Sequence, residues 1–93
     1  MFRDMMKEMM LGKVVHSVRR GVPQTYDGYQ IVPRKYLSLF IDAESDADME
    51  YMRRVGRDEV SICRNGLLLA WFPVSLLTAD KLRSVLHHVG WRG

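Results

Sequence analysis

Two apolar runs flank the dipeptide Asn65-Gly66, and this pattern constrains the fold more than any other part of the chain. A two-residue type I′ turn needs positive φ at both central positions, which Asn followed by Gly accepts at low cost. The runs therefore predict antiparallel strands at 59–64 and 67–72, with the sequences EVSICR and LLLAWF. A tight turn of this kind also sets which residues of the two strands lie opposite each other.

The two faces of this hairpin follow from its register. If the strands pair without irregularity, Arg64 lies opposite Leu67 and the pairing continues residue by residue to Glu59 opposite Phe72. One face then carries Val60, Ile62, Leu69 and Trp71, and the other carries Cys63, Leu68, Ala70 and Phe72. We expect the first face to be the core face. The second is also mostly apolar, so we expect it to be covered by the chain's own helices, a second copy or a partner protein.

Methionine dominates the apolar positions of the first eleven residues, MFRDMMKEMML. Apolar side chains recur there at helical spacing, so the segment predicts a short amphipathic helix that ends at Gly12. Its apolar face carries Met5, Met6, Met9 and Met10. Methionine side chains are flexible and polarizable, and they fill irregular gaps in cores and also suit adaptable binding surfaces.

Three further segments predict strands. Residues 13–20, KVVHSVRR, alternate valines with polar residues, and residues 36–42, YLSLFID, alternate leucines with aromatic and polar residues. Residues 29–32 follow an Asp27-Gly28 turn signal and end at Pro33, which predicts a short strand.

Two more helices are predicted by their capping residues. Ser45 followed by Asp48 resembles a capping box at the start of a helix over 43–57. Thr78 caps the C-terminal helix, where Gly90 and Trp91 form a typical helix end. The buried stripe predicted for this last helix consists of Leu82, Val85, Leu86 and Val89.

These elements occur in the order α-β-β-β-α-β-β-α, and the 93 residues form a single α+β domain, 1–93. We expect a four- or five-stranded antiparallel sheet with helices packed on it. This order is similar to that of the class I type III secretion chaperones, which are small dimeric proteins that hold an unfolded partner segment. The resemblance is one of element order across the whole chain.

Composition and charge indicate the cellular compartment of the domain. One cysteine allows no intramolecular disulfide, so nothing requires an oxidising compartment. The N-terminal apolar stretch is interrupted by charges, which does not fit a signal peptide, and no apolar run approaches the roughly 18–20 residues of a membrane span. We therefore expect a cytoplasmic protein, and its net charge of +3 is mild.

Motifs for catalysis, metal binding or cofactor binding are not found in the sequence. His87 and His88 are neighbours on a predicted helix and point about 100° apart, so they do not chelate one metal. The acidic run that starts at Asp42 resembles the beginning of an EF-hand loop, but Ala47 replaces the required glycine and Arg53 the final glutamate. We expect no enzyme, no cofactor and no metal site.

Two functions stay open at this point. The first is a non-enzymatic protein-binding module: an adaptor, a chaperone-like holder or a small inhibitor of a larger protein assembly, acting as a homodimer. Its candidate binding residues are Met5, Met6, Met9, Met10, Leu68 and Phe72. The alternative is a nucleic-acid-binding protein, because basic residues neutralise phosphates and tyrosines stack on bases. Its candidate residues are Arg19, Arg20, Arg34, Lys35, Tyr26 and Tyr29.

Overall fold

The computed structural model of the chain describes residues 2–93, with side chains described from Met9 onward. The α helices are α1 (Phe2–Arg19), α2 (Asp46–Arg53) and α3 (Ala79–His88), and the strands are β1 (Gln24–Tyr26), β2 (Tyr29–Pro33), β3 (Glu59–Arg64) and β4 (Leu67–Pro73). Two short 3₁₀ helices span Arg34–Leu39 and Val74–Leu76. The strands form one antiparallel sheet in the order β1-β2-β3-β4, so the predicted α+β class with a four-stranded antiparallel sheet is confirmed.

Helix α1 continues through Gly12 to Arg19, so both the predicted helix end at Gly12 and the predicted strand at 13–20 are wrong. Its buried residues are Leu11, Val14, Val15 and Val18. They follow the i, i+3, i+4, i+7 spacing of a helix stripe, and together they pack on the rest of the core. Burial of this stripe outweighs the weak helix propensity of valine.

The predicted strand at 36–42 is also wrong, because the chain forms a 3₁₀ helix over Arg34–Leu39. Pro33, with φ −60°, ends β2 just before it. Leu37 is fully buried, whereas Leu39 is 75% exposed. The alternation of apolar residues here therefore reflects a segment that lies across the sheet, with only some side chains facing it.

Both hairpin turns use positive φ at their two central residues. Asn65 and Gly66 have φ values of 52° and 79°, as the type I′ prediction requires, and Asp27 and Gly28 have 49° and 85°. The two turns therefore form where the sequence signals placed them.

A β-bulge changes the register of the β3–β4 hairpin. Cys63 lies opposite Leu68 as predicted, but Ile62 lies opposite Ala70, so Leu69 is an additional residue in β4. From this point the predicted register is wrong by one residue. Because side-chain direction alternates along a strand, Trp71 and Phe72 exchange faces relative to the prediction.

Helices α1 and α3 cover the first face of the sheet. The buried cluster there contains Val60, Ile62 and Phe72 from the hairpin, together with Leu82 and Leu86 from α3. The valine stripe of α1 belongs to the same cluster.

The second face is covered by the chain itself. Its buried cluster consists of Val32, Leu37, Val55 and Cys63. Partly buried residues of the segment between β2 and β3, together with Leu68 and Trp71 of β4, pack against this cluster. The chain's own segments therefore cover most of this face, and Leu68 and Trp71 of β4 stay partly exposed on it.

The caps of α2 and α3 are confirmed. Ser45 Oγ accepts a hydrogen bond from the Asp48 N–H at 3.2 Å, and Thr78 Oγ1 accepts one from the Lys81 N–H at 3.1 Å. At the end of α3, Gly90 has φ 114° and the Trp91 N–H donates to the Leu86 carbonyl at 2.9 Å. Among residues 2–93, no helix is both long and apolar enough to cross a membrane.

Candidate functional site

Strand β4 is an edge strand, and within residues 2–93 no further strand pairs with its outer side. It has seven residues, LLLAWFP, none of them charged. The outer edge of such a strand presents backbone N–H and C=O groups that can pair with another chain. The opposite edge strand, β1, has only three residues. The longer and more apolar edge of the sheet is therefore β4.

Burial distinguishes β4 from its neighbour β3. Residues 60–63 of β3 are all fully buried, whereas residues 67–71 of β4 are all partly or largely exposed. Leu67 is the most exposed of them, at 62%. Edge strands are usually protected by lysines, by proline or by being short. In β4 the only such devices are the bulge at Leu69 and Pro73 at the end of the strand.

A cavity of about 190 Å³ lies beside the first residues of β4. Its lining residues come from the segment before α2, from α2 itself and from the hairpin tip: Ile41, Asp42, Asp48, Tyr51, Met52, Gly66, Leu67 and Leu68. The lining is thus mostly apolar, with two carboxylates.

Asp42 is held against the tip of the hairpin. Its backbone N–H donates to the Gly66 carbonyl at 2.9 Å. Its carboxylate packs so closely on Gly66 that a Cβ at position 66 would collide with it. Gly66 is therefore needed for two reasons, its positive φ and the close approach of Asp42.

Aromatic contacts extend the exposed apolar surface from β4 onto α2. The ring of Tyr51 packs edge-on against Trp71, with the ring centroids 5.1 Å apart. Tyr51 and Met49 are both exposed on α2, and Leu76 is exposed just after β4. Several exposed apolar side chains thus surround β4, and such a group is typical of a docking surface.

The structure separates the predicted protein-binding residues. Leu68 lines the cavity and is half-buried, but Phe72 is 6% exposed and lies in the core under the helices. The placement of Phe72 on the second face is therefore wrong, because the bulge turns it to the first. Met9 and Met10 are 64% and 53% exposed on α1, and the side chains of Met5 and Met6 lie outside the described residues.

The methionine helix and Leu68 do not form one continuous surface. Helix α1 packs against α3, β1 and β2 on the first face, whereas Leu68 packs on the second face. A partner that occupies the edge of β4 would thus leave the exposed methionines of α1 free for another contact.

The residues of the predicted nucleic-acid patch are only partly brought together. Tyr26 and Tyr29 are buried in the main core and cannot stack on bases. Arg19 and Arg34 line a second cavity, of about 160 Å³, with Arg57 and with two acidic residues, Asp58 and Glu59. Arg34 also donates from Nε to the Val55 carbonyl at 3.0 Å, while Arg20 and Lys35 are exposed.

Two buried groups, Cys63 and Tyr26, have raised pKa values. Burial raises the pKa of the Cys63 thiol to about 11, so it is protonated at neutral pH and unsuited to nucleophilic attack. Burial and the neighbouring Asp27 carboxylate raise the pKa of Tyr26. In the part of the chain that the structure describes, no group of three or more His, Cys, Asp or Glu side chains is arranged to hold a metal ion.

Sequence reasoning missed the residues that build the β4 surroundings. Asp42, Asp48 and Tyr51 come from a segment that the sequence placed in a strand and a surface helix, and the cavity forms only when these meet the hairpin tip. One signal was available: residues 67–73 contain no charged side chain, which is unusual for an edge strand.

Comparison with known proteins adds no assignment to this surface. No protein-family model matches the chain, and searches among curated proteins and among solved structures return no similar protein. The resemblance to secretion chaperones therefore stays a resemblance in element order.

Proposed function

We propose that this chain is a non-enzymatic protein-binding module that docks its partner on the open edge of β4. The single observation that carries the proposal is an uncharged seven-residue edge strand whose residues 67–71 are all partly exposed. Backbone groups on such an edge supply hydrogen bonds to an added strand, and the apolar side chains beside it supply buried area. An adaptor, a chaperone-like holder or a small inhibitor would each use the surface in this way.

The exposed methionines of α1 support a homodimer as the assembled state. Met9 and Met10 are exposed immediately before Leu11, which is buried in the core, and they lie away from β4. Two copies that meet through this part of α1 would leave both β4 edges open to partners. We place the module in the cytoplasm, because its single cysteine is a buried free thiol.

A selection experiment tests the β4 edge. Random decapeptides displayed on phage are selected against the immobilised protein, and the enriched peptides are measured against variants. Leu67→Lys should weaken their binding by at least tenfold, because it adds a charge to the exposed start of the edge strand. The matched control is Thr25→Lys, which places the same charge on the opposite edge strand and should leave binding unchanged.

The outcome that would contradict the proposal is equally definite. If no peptide is enriched over an unrelated domain of similar size, or if Leu67→Lys and Thr25→Lys have the same effect, the β4 edge is not the docking surface.

The homodimer has its own test by analytical ultracentrifugation. Replacing Met9 and Met10 together with lysine should turn a dimer into a monomer, because buried charge opposes an apolar interface. His16→Lys, at an exposed position further along α1, is the control and should preserve the dimer. A wild-type protein that sediments as a monomer at about 100 µM would remove this part of the proposal.

One observation favours a second candidate, a phosphate-contacting nucleic-acid binder. Arg19, Arg34 and Arg57 line one cavity although they come from three separate segments. Because Tyr26 and Tyr29 are buried, binding at this cavity would depend on phosphate contacts, which are strongest at low salt. A gel shift with single-stranded DNA at about 50 mM salt decides it, and no shift there rules it out.

A further inference from the structure

We propose that the edge of β4 recognises an extended peptide that carries an apolar residue two positions away from a lysine or arginine. The peptide adds to the sheet beside β4, its apolar side chain enters the cavity at the hairpin tip, and its basic side chain faces Asp42 and Asp48. The inference rests on the proposed function, and it names the partner chemistry that this function leaves open.

The backbone contact follows from the geometry of an antiparallel edge. Every second residue of an edge strand turns its N–H and C=O outward, and an added strand lies about 4.8 Å away. Side chains of the added strand alternate between the faces of the sheet, so residues about 7 Å apart reach the same face. One such side chain on the second face would lie next to Leu68, which lines the cavity.

The cavity has the size and lining for one apolar side chain. A dry apolar cavity of about 150 Å³ holds a benzene molecule, so about 190 Å³ accommodates a leucine or phenylalanine side chain. Ile41, Tyr51 and Met52 supply apolar contacts opposite the strand. The flexible side chain of Met52 adapts to different shapes, so the cavity would accept several apolar residues.

The charge of the cavity favours a lysine or arginine on the same face of the peptide as the apolar residue. No lysine or arginine side chain among the described residues lies within ion-pair distance of Asp42 or Asp48, whereas the nearby Glu50 is paired with Arg53 at 3.5 Å. Two further acids, Glu44 and Asp46, are exposed on the same segment. Each exposed ion pair adds little affinity. The negative charge of these carboxylates therefore acts mainly on the specificity and the rate of peptide association.

Charge also argues against a second copy of the chain as the occupant. In a symmetric pairing the added strand would be another β4, and residues 67–73 contain no lysine or arginine. Such a pairing would leave Asp42 and Asp48 without a cation. A basic strand from a different protein meets both the apolar and the acidic part of the site.

The test compares two synthetic heptapeptides of the same length and pattern, titrated into isotopically labelled full-length protein and followed by backbone amide NMR. The basic peptide is Thr-Lys-Val-Leu-Val-Lys-Thr, which puts both lysines on the same face as the leucine, and the acidic one has glutamate at both lysine positions. At about 50 mM salt we expect the basic peptide to bind about fivefold or more tightly, with the largest amide shifts in β4 and at Gly66. The difference should shrink at about 500 mM salt because exposed charges are then screened.

Two variants locate the selectivity. Asp42→Asn combined with Asp48→Asn should bring the two peptides to within about twofold of each other, because the isosteric amides remove only the charge. The control combines Asp58→Asn with Asp80→Asn, which makes the same change in net charge away from the cavity and should keep the preference. Retained amide signals of the Asn65-Gly66 turn verify that each variant is folded.

Three results would overturn the inference. Equal affinity of the two peptides at low salt, with shifts in β4, removes the charge selectivity but leaves the proposed docking edge intact. Shifts confined to β1, or no binding of either peptide at millimolar concentration, remove the β4 site and the proposed function with it. A wild-type dimer whose β4 amides are protected from exchange and whose edge excludes both peptides shows that a second copy is the occupant.

Discussion

Leu69 decides which side of the sheet the two aromatic residues after it occupy. As the additional residue of a β-bulge, it shifts the rest of β4 by one position. Phe72 is thereby turned toward the main core, and Trp71 toward the second cluster and the Tyr51 ring. One residue thus exchanges the structural roles of its neighbours.

The exchanged roles predict an order of stability losses. Phe72→Ala should lower the free energy of unfolding by about 3–5 kcal/mol, because it leaves a cavity in the main core. Trp71→Ala should cost less, because its side chain is only half-buried. Urea unfolding of the two variants measures the difference, and a larger loss for Trp71→Ala would indicate the unbulged register.

Replacing Ser61 with alanine should stabilise the protein. The residue is fully buried in β3, and its Oγ has no hydrogen-bond partner among the described residues. An unsatisfied buried hydroxyl costs about 1–3 kcal/mol, so Ser61→Ala should raise the free energy of unfolding by about 1 kcal/mol. Ser61→Val, which adds volume at the same site, is the comparison. A destabilised Ser61→Ala would show that the hydroxyl is satisfied in solution.

Because the Cys63 thiol is buried, we expect the folded protein to lose stability at high pH. The folded thiol keeps its proton up to a pKa of about 11, whereas an unfolded thiol loses it near about 8.5. Between these values the unfolded state binds fewer protons, so stability falls as pH rises and is unaffected below about pH 8. From pH 8 to 10.5 the wild type should lose about 2 kcal/mol more than Cys63→Ala. Equal losses in guanidinium unfolding would contradict the burial of this thiol.

At the scale of elements, helix α1 illustrates how tertiary packing overrides local signals. Gly12 and the alternating valines suggest a helix end followed by a strand. In the fold, Leu11, Val14 and Val18 form a stripe that buries only if the chain stays helical through Gly12. The sheet that this stripe packs on is assembled from residues further along the chain.

A glycine substitution tests this continuous helix. Gly12 lies inside α1 with open space around its α-carbon, so Gly12→Ala should stabilise the protein by about 1 kcal/mol. At a helix end with positive φ the same change would destabilise it. Gly66→Ala is the matched control, and it should be clearly destabilising because of the positive φ and the collision with Asp42. Thermal unfolding should show a higher Tm than the wild type for Gly12→Ala and a lower Tm for Gly66→Ala.

The C-terminal segment packs against the β1–β2 hairpin through a hydrogen bond and an aromatic contact. Trp91 donates from Nε1 to Asp27 Oδ2 at 2.8 Å, and its ring packs edge-on against Tyr26 with centroids 5.5 Å apart. His87 Nδ1 lies 2.9 Å from the Trp91 carbonyl, so this nitrogen carries the donated hydrogen. The positive-φ glycine at position 90 makes the return of Trp91 possible.

At the scale of the whole molecule, the sheet separates two apolar clusters that share one strand. β3 supplies Val60 and Ile62 to the larger cluster and Cys63 to the smaller one. Neither cluster can keep its shape if β3 leaves the sheet. We therefore expect the domain to unfold as one cooperative unit.

The two tryptophans test this cooperativity, since Trp91 belongs to the larger cluster and Trp71 packs on the smaller. In the single-tryptophan variants Trp71→Phe and Trp91→Phe, the fluorescence and far-UV circular dichroism transitions in urea should coincide within each variant. A smaller cluster that unfolds first would separate the two signals in Trp91→Phe alone, where the remaining tryptophan is Trp71.

The sequence by itself determined the features that depend on neighbouring residues. Turn residues set the hairpin at Asn65-Gly66, the caps Ser45 and Thr78 set two helix starts, and Gly90 with Trp91 set the last helix end. In each case the hydrogen bonds that fix the backbone conformation join residues only a few positions apart. The local sequence is therefore sufficient to determine the turn or helix end.

Only the tertiary structure decided the features that depend on distant packing. The bulge at Leu69, the helical state of residues 13–19 and the 3₁₀ helix over Arg34–Leu39 each follow from which apolar side chains can be buried against surfaces elsewhere. The cavity beside β4 has the same origin, because its walls come from three segments separated along the chain. Burial of apolar area depends on the assembled surfaces, and a local pattern of apolar residues does not specify them.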